Sequence, residues 1–124
     1  MKYNDKNNTE LEILAFLNDV TGSKFREIKS NISKITALLK QDFTQEQIVE
    51  VIQLKVIQWK NNPKMAMYLR PRTLFSNENF ENYINEIERI KQNPKMYAEH
   101  FKAINKIKTS AADNIDDLKA MFGN

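Results

Sequence analysis

Cysteine is missing from all 124 residues, which excludes disulfides, thiolate metal sites and cysteine nucleophiles and fits a reducing, intracellular setting. Histidine occurs once, at His100. A lone imidazole without a thiolate argues against a metal centre, so His100 reads as an ordinary surface or half-buried side chain, with a pH-sensitive contact as the alternative. No apolar run approaches the roughly 20 residues that span a bilayer, and the opening MKYNDKNNTE is polar where a secretory leader needs an apolar segment. A soluble, cytoplasmic protein with no membrane partner is expected. Only two glycines and three prolines are present, which argues for helices with short connections, and no alternating strand pattern appears.

Catalytic signatures are also lacking. There is no phosphate-cradling glycine loop, no metal-ligand cluster and no serine in a nucleophile elbow. Carboxylates adjacent or nearly so in sequence, such as Asp116 and Asp117 or Glu86 and Glu88, read as solvated charges. A non-enzymatic protein without cofactor or metal follows as the expectation. Met65, Met67, Met96 and Met121 are read as adaptable packing.

What is present is positive charge in blocks. The net charge is only +3, but the stretch from Lys55 to Phe75, KVIQWKNNPKMAMYLRPRTLF, holds five basic residues and no acid. Trp59, Tyr68 and Phe75 alternate there with Lys55, Lys60, Lys64, Arg70 and Arg72, the mixture of cations and stacking groups that suits a polyanion. Two further blocks are basic: 24–40, with Lys24, Arg26, Lys29, Lys34 and Lys40 against Glu27, and 89–108, with Lys102 and Lys106 among its cations. Only convergence of these blocks on one side of the fold would create a field strong enough to recruit nucleic acid.

Apolar spacing predicts an all-α protein, a compact bundle of about five to six short helices, with a helical domain over 9–92 and a docked helical extension over 93–124. Residues 1–8 are expected to fray. Thr9 and Glu12 stand at capping-box spacing and open a helix over 9–20 that stops at Gly22. A second helix over 30–40 carries Ile32, Ile35, Leu38 and Leu39 inward and Lys29, Lys34 and Lys40 on its other face. Thr44 and Gln47 repeat the capping spacing and start a third, with Ile48, Val51, Ile52, Val56 and Trp59 on one face. Lys55 projects into that face, its stem packing while the amine snorkels out or pairs with a carboxylate such as Glu81 or Glu86, or else offering a desolvated amine to a phosphate or partner. Pro63 can begin a short helix through Leu69, which Arg70-Pro71 breaks, leaving Arg70 on a stiff, irregular segment suited to display. Ser76 or Asn77 caps a fourth long helix with the stripe Phe80, Tyr83, Ile84, Ile87 and Ile90. Asn93-Pro94 opens another to about Lys108, with Met96 or Tyr97, Phe101, Ile104 and Ile107 inward. The tail NIDDLKAMFGN has the pattern of a short amphipathic helix that either docks on the body or enters a partner's groove.

Several runs resemble a known family. They are Ile13-Leu14 to Leu17-Asn18, Thr21-Gly22 to Phe25-Arg26, Phe43-Thr44 to Ile48, Val51-Ile52 with Lys55 and Trp59, Tyr68-Leu69-Arg70-Pro71 with Thr73-Leu74-Phe75, and Phe80-Glu81 with Tyr83-Ile84-Asn85. Together they are similar to the conserved C-terminal domain of phage replication-organiser proteins, from phages and prophages of low-GC Gram-positive bacteria and distantly like DnaD-type initiation domains. The resemblance covers about 11–86 and implies an all-helical module that contacts DNA or replication proteins. In that family a winged-helix domain usually precedes this one, whereas here a segment over 87–124 is added. The expected function is therefore a replication accessory module that binds DNA, without strong sequence preference, or a host or phage replication protein. The alternative is a small phage inhibitor docking on a host enzyme such as a CRISPR nuclease or helicase loader. A homo-oligomer is compatible with either. The residues expected to carry binding are Lys34, Lys55, Lys60, Lys64, Arg70, Arg72, Lys102 and Lys106.

Overall fold

The computed structural model describes residues 5–107 as backbone and 9–107 with side chains. Five helices, α1 (Asp5–Thr21), α2 (Lys29–Lys40), α3 (Gln45–Trp59), α4 (Pro71–Leu74) and α5 (Asn77–Gln92), are followed by helical residues 98–107, here α6. A 3₁₀ turn at Ala66–Tyr68 precedes α4. No strand occurs among the described residues. The expected amphipathic tail lies outside them.

The core is organised on α3, which is buried on nearly every side from Ile48 to Val56. Helix α1 packs on α3 and α2, α5 packs on α3, and the short α4 bridges α2 and α5. Side-chain pairs set the directions. Gln45 Nε2 donates to Glu12 Oε1 at 2.9 Å and Lys60 Nζ to the Val20 carbonyl at 3.0 Å, so α1 and α3 run the same way. Glu50 pairs with Lys91 and Lys55 with Glu86, so α5 runs antiparallel to α3. Ile13, Leu14, Leu17, Ile35, Leu38, Ile48, Ile52, Leu54, Leu74, Phe75 and Phe80 form the interior. Phe43 seals the α2 to α3 turn, edge-on to Phe80 with ring centroids 4.7 Å apart.

Local chemistry ends and starts most helices as the residue types dictate. Thr44 Oγ1 accepts from the Gln47 amide while Gln47 Oε1 accepts from the Thr44 amide, closing the expected capping box. Ser76 Oγ accepts from the Asn79 amide at the head of α5. Gly22 sits at φ +68°, and the Ser23 amide reaches back to the Asn18 carbonyl, the six-to-one bond of a Schellman ending. Helix α2 ends in the same way without a glycine: Phe43 donates to Leu38 O and Asp42 to Leu39 O, with Asp42 at φ +69°.

Four boundaries differ from the sequence expectation. Helix α1 begins at Asp5, one turn earlier, because nothing in Asp5-Lys6-Asn7-Asn8 forbids helix and Thr9 then lies inside it. Residues 63–69 form turns and one 3₁₀ turn in place of a helix. Pro71 is the first residue of α4 and starts a helix where a break was expected, while Arg70 before it is extended, at φ −152°. Asn93 does not cap α6. Its side-chain amide donates back to Arg89 O at the end of α5, and 94–97 form turns before the helix begins. In that turn Tyr97 takes the inward place and Met96 is left 75% exposed; Met67, on the 3₁₀ turn, is also exposed, so neither methionine packs the core.

Candidate functional site

The segment Lys55–Phe75 divides between core and surface. Lys55 is 4% exposed. Its ammonium donates to Glu86 Oε1 at 2.9 Å and to Gln58 Oε1 at 2.8 Å, and it lies 4.2 Å from the Tyr83 ring centroid and 5.0 Å from that of Trp59. Gln58 Nε2 completes the circuit by donating to Glu86 Oε2 at 2.6 Å. Of the two acids that sequence left open, Glu86 is the partner and Glu81 is exposed. Burial by itself would raise the Glu86 carboxyl, but hydrogen bonds from Gln58 and Lys55 and the charges of Lys55 and Arg89 bring it below its ordinary value. Burial and the Glu86 charge push the Tyr83 phenol up. This is an ammonium enclosed by two aromatic rings and a carboxylate, turned inward and out of reach of a phosphate.

Three more of the expected cations have engaged heads. Lys60 Nζ rests on the Val20 carbonyl, neutralising the negative end of α1. Arg70 is half-buried, its Nε donating to Thr73 Oγ1 at 3.1 Å and its guanidinium stacked 5.2 Å from the Tyr68 ring centroid. The display role expected for it is therefore reduced to one edge. Lys102 pairs with Glu99 at 3.5 Å on the surface. Lys64 and Arg72 are exposed, Lys106 is exposed and Lys34 half-exposed, and none of these four makes an ion pair among the described residues.

Two groupings result. At the ends of α1 and α3, Lys60 and Lys106 share a groove of about 370 Å³ with Asp19, Val56 and Ile57. On the opposite partner of α1, helix α2 carries Lys29, Lys34 and Lys40 and no acid. Lys29 and Lys40 flank a shallow depression of about 360 Å³ floored by Ile32, Ser33, Thr36 and Ala37. Helix α4, bearing exposed Arg72, packs beside α2. Lys29 and Lys40, eleven residues apart, fall on one helical face, whereas Lys34 lies about 120–140° round the helix from them. Exposed acids lie just before and just after α2, at Glu27 and Asp42, and along α5, at Glu78, Glu81 and Glu88.

The turn after α1 is held by a contact that spacing did not reveal. Asn18 accepts from the Phe25 amide at 2.8 Å through Oδ1 and donates to the Phe25 carbonyl at 3.0 Å through Nδ2. Thr21 Oγ1 donates to Leu17 O at 2.6 Å and meets Ser23 Oγ at 2.7 Å. Asn18, Thr21, Gly22 and Phe25 thus act together to fix the turn that leads into the basic helix α2.

Among the described residues no group of three or more His, Asp or Glu side chains is placed to hold a metal, and no helix is long and apolar enough to cross a membrane. No curated protein and no solved structure matches the chain. A family model described as the conserved phage C-terminus matches residues 13–85, from the buried face of α1 into the middle of α5, and so includes the Asn18 turn, all of α2 and α3, and the Arg70-Pro71 start of α4. The chain belongs to this family of conserved phage C-terminal domains.

Proposed function

We propose that this phage domain is a non-enzymatic replication accessory module that binds the nucleic-acid backbone, without strong sequence preference, through the face formed by α2 and α4. The observation that supports this reading most is the composition of α2: three lysines and no acid in a 12-residue helix, set beside exposed Arg72 and on a different helix from the exposed glutamates. Phosphates are recognised by such unpaired cations. The binding set becomes Lys29, Lys34, Lys40 and Arg72, and Lys106 belongs with Lys60 to the separate groove at the ends of α1 and α3. Lys55 leaves it because its ammonium is enclosed.

Fluorescence anisotropy with a labelled single strand and a labelled duplex, over about 50 to about 200 mM salt, tests this. Replacing Lys29, Lys34 and Lys40 together by Gln should lower the slope of log K against log salt by about 2 on single strands and nearly 3 on duplex, if each lysine contacts one phosphate. Equal weakening on unrelated sequences is expected. No binding at the lowest salt, or an unchanged slope, refutes the reading. The apolar floor of the α2 depression favours the second reading, in which the same face docks on a host nucleic-acid-processing protein. A host protein that stays bound after nuclease treatment and is released by the triple substitution supports that reading.

A further inference from the structure

We propose that α6 is a pH-sensitive latch: it covers an apolar face of α3 and α5 and lifts when His100 takes up a proton. The first observation is how lightly α6 is held. Each of α1 to α5 contributes fully buried side chains, whereas none of residues 93–107 is fully buried. Among the described residues, half-buried Tyr97, Phe101 and Ile107 are the apolar side chains of this segment that pack against the core. The second is the space beneath it. A cavity of about 160 Å³ separates α6 from α3 and α5, lined by Ile87, Ile90, His100, Phe101 and Ile104 together with the polar Gln53 and Asn105 and the Glu50–Lys91 pair, and the 370 Å³ groove opens along its other side, between Ala103 and Ile107 of α6 and Val20 and Val56. Val20, Val56, Ile87 and Ile90 retain 8, 5, 7 and 4% exposure along this seam, whereas Val51, Ile52 and Leu54 deeper in retain none. Elements with few buried contacts and cavities below them open at low free-energy cost.

His100 faces that cavity, edge-on to Phe101 with centroids 5.6 Å apart. The charged groups that face it are already committed. Glu50 of α3 is paired with Lys91 of α5 at 2.8 Å, and Glu86 of α5 holds Lys55 and Gln58. On α6 itself Glu99 pairs with Lys102 on the surface. An imidazolium formed in the closed state therefore meets a Glu50 carboxylate already paired with Lys91 and a Glu86 carboxylate already bonded to Lys55 and Gln58. Burial accordingly lowers the His100 pKa below its ordinary value, an effect that the Glu86 charge offsets only in part. The sign follows: closure is favoured while the imidazole is neutral, above about pH 6.5, and loses ground as pH falls below that value. With one histidine and no cysteine in the chain, His100 is the side chain whose ordinary titration falls in this window. The matched family segment ends at residue 85, so α6 lies outside it, and lifting α6 uncovers Val20, Val56 and Ile57 on one side and Ile87 and Ile90 on the other.

Hydrogen-exchange mass spectrometry on the full chain at about pH 7.5 and about pH 5.5, corrected for intrinsic rates, decides the matter. At the higher pH, amides of 98–107 should be less protected than those of α3. At the lower pH they should lose up to about tenfold more protection, the limit set by one pH unit below an ordinary histidine, while α1 and α3 stay unchanged. His100→Leu, which remains neutral, should abolish the pH response and keep α6 protected, and His100→Gln should also be pH-insensitive. Protection of α6 equal to that of α3, a pH-independent wild type, or a pH response that survives in both variants would each overturn the latch.

Discussion

Removing either partner of the Lys55–Glu86 pair should have very unequal effects, because the two are unequally buried. The Lys55 side chain is 6% exposed and that of Glu86 29%. In Glu86→Leu the ammonium stays in the interior with the Gln58 carbonyl and two aromatic faces, so it loses its counter-charge with little access to water. Breaking a buried pair in this way typically costs about 3–5 kcal/mol, and the Trp59 and Tyr83 rings return about 1 kcal/mol or more, which leaves a loss of roughly 2–4 kcal/mol. In Lys55→Met the remaining carboxylate keeps the Gln58 amide and gains water, and the methionine fills the space of the lysine stem, so the loss should stay below about 1 kcal/mol. The double variant Lys55→Met with Glu86→Leu should be close to wild type or more stable, since an ion pair replaced by apolar groups of similar volume is often neutral or better. Urea unfolding followed by far-UV circular dichroism gives all four stabilities, with Trp59 fluorescence as a second probe. Equal losses for the two single variants, or a double variant as unstable as Glu86→Leu, would refute the reasoning that burial of the ammonium sets the cost.

The same pair gives an acid limb: because the Glu86 carboxyl is held below its ordinary value, its contribution is complete above about pH 4.5 and is lost as pH falls further, so a plot of stability against pH should flatten there in Glu86→Gln. Asn18→Ala removes both hydrogen bonds to the Phe25 backbone and should cost about 1–3 kcal/mol in urea unfolding; a loss near zero would mean that Gly22 alone fixes the turn. Asp42→Gly should stabilise by about 0.5 kcal/mol, since Asp42 occupies the left-handed region, whereas Asp42→Val should destabilise by more than about 1 kcal/mol; thermal melts of the two should move in opposite directions.

The parts legible in advance were those encoded within a few residues of themselves. The Thr44–Gln47 capping box, the Ser76 cap, the glycine ending of α1 and the inward stripes of α2, α3 and α5 all follow from side chains that meet their own backbone neighbours or repeat at helical spacing. The same locality explains the misreadings. Thr9 has capping-box spacing to Glu12, yet a helix already begun at Asp5 has no use for a cap there. Asn93 and Pro94 carry the signature of a helix start, but the Asn93 side chain has a nearer carbonyl to satisfy at Arg89.

Sequence by itself determined the helical class, the absence of thiol chemistry, the basic composition of α2 and the presence of a lysine in the apolar face of α3. Tertiary structure alone decided which acid reaches that lysine. Glu81 and Glu86 are five residues apart on α5, about 140° around its axis, and only the rotation of α5 against α3 turns Glu86 inward and leaves Glu81 in water. It also decided which cations stay open: Lys60 is drawn to the α1 terminus and Arg70 to Thr73 and Tyr68, while Lys29 and Lys40 flank one depression on α2, the helix on which α4 and its exposed Arg72 pack. Spacing fixes which face of a helix is apolar, but the partner each charge meets depends on how separate helices cross, and that is settled only when the core closes.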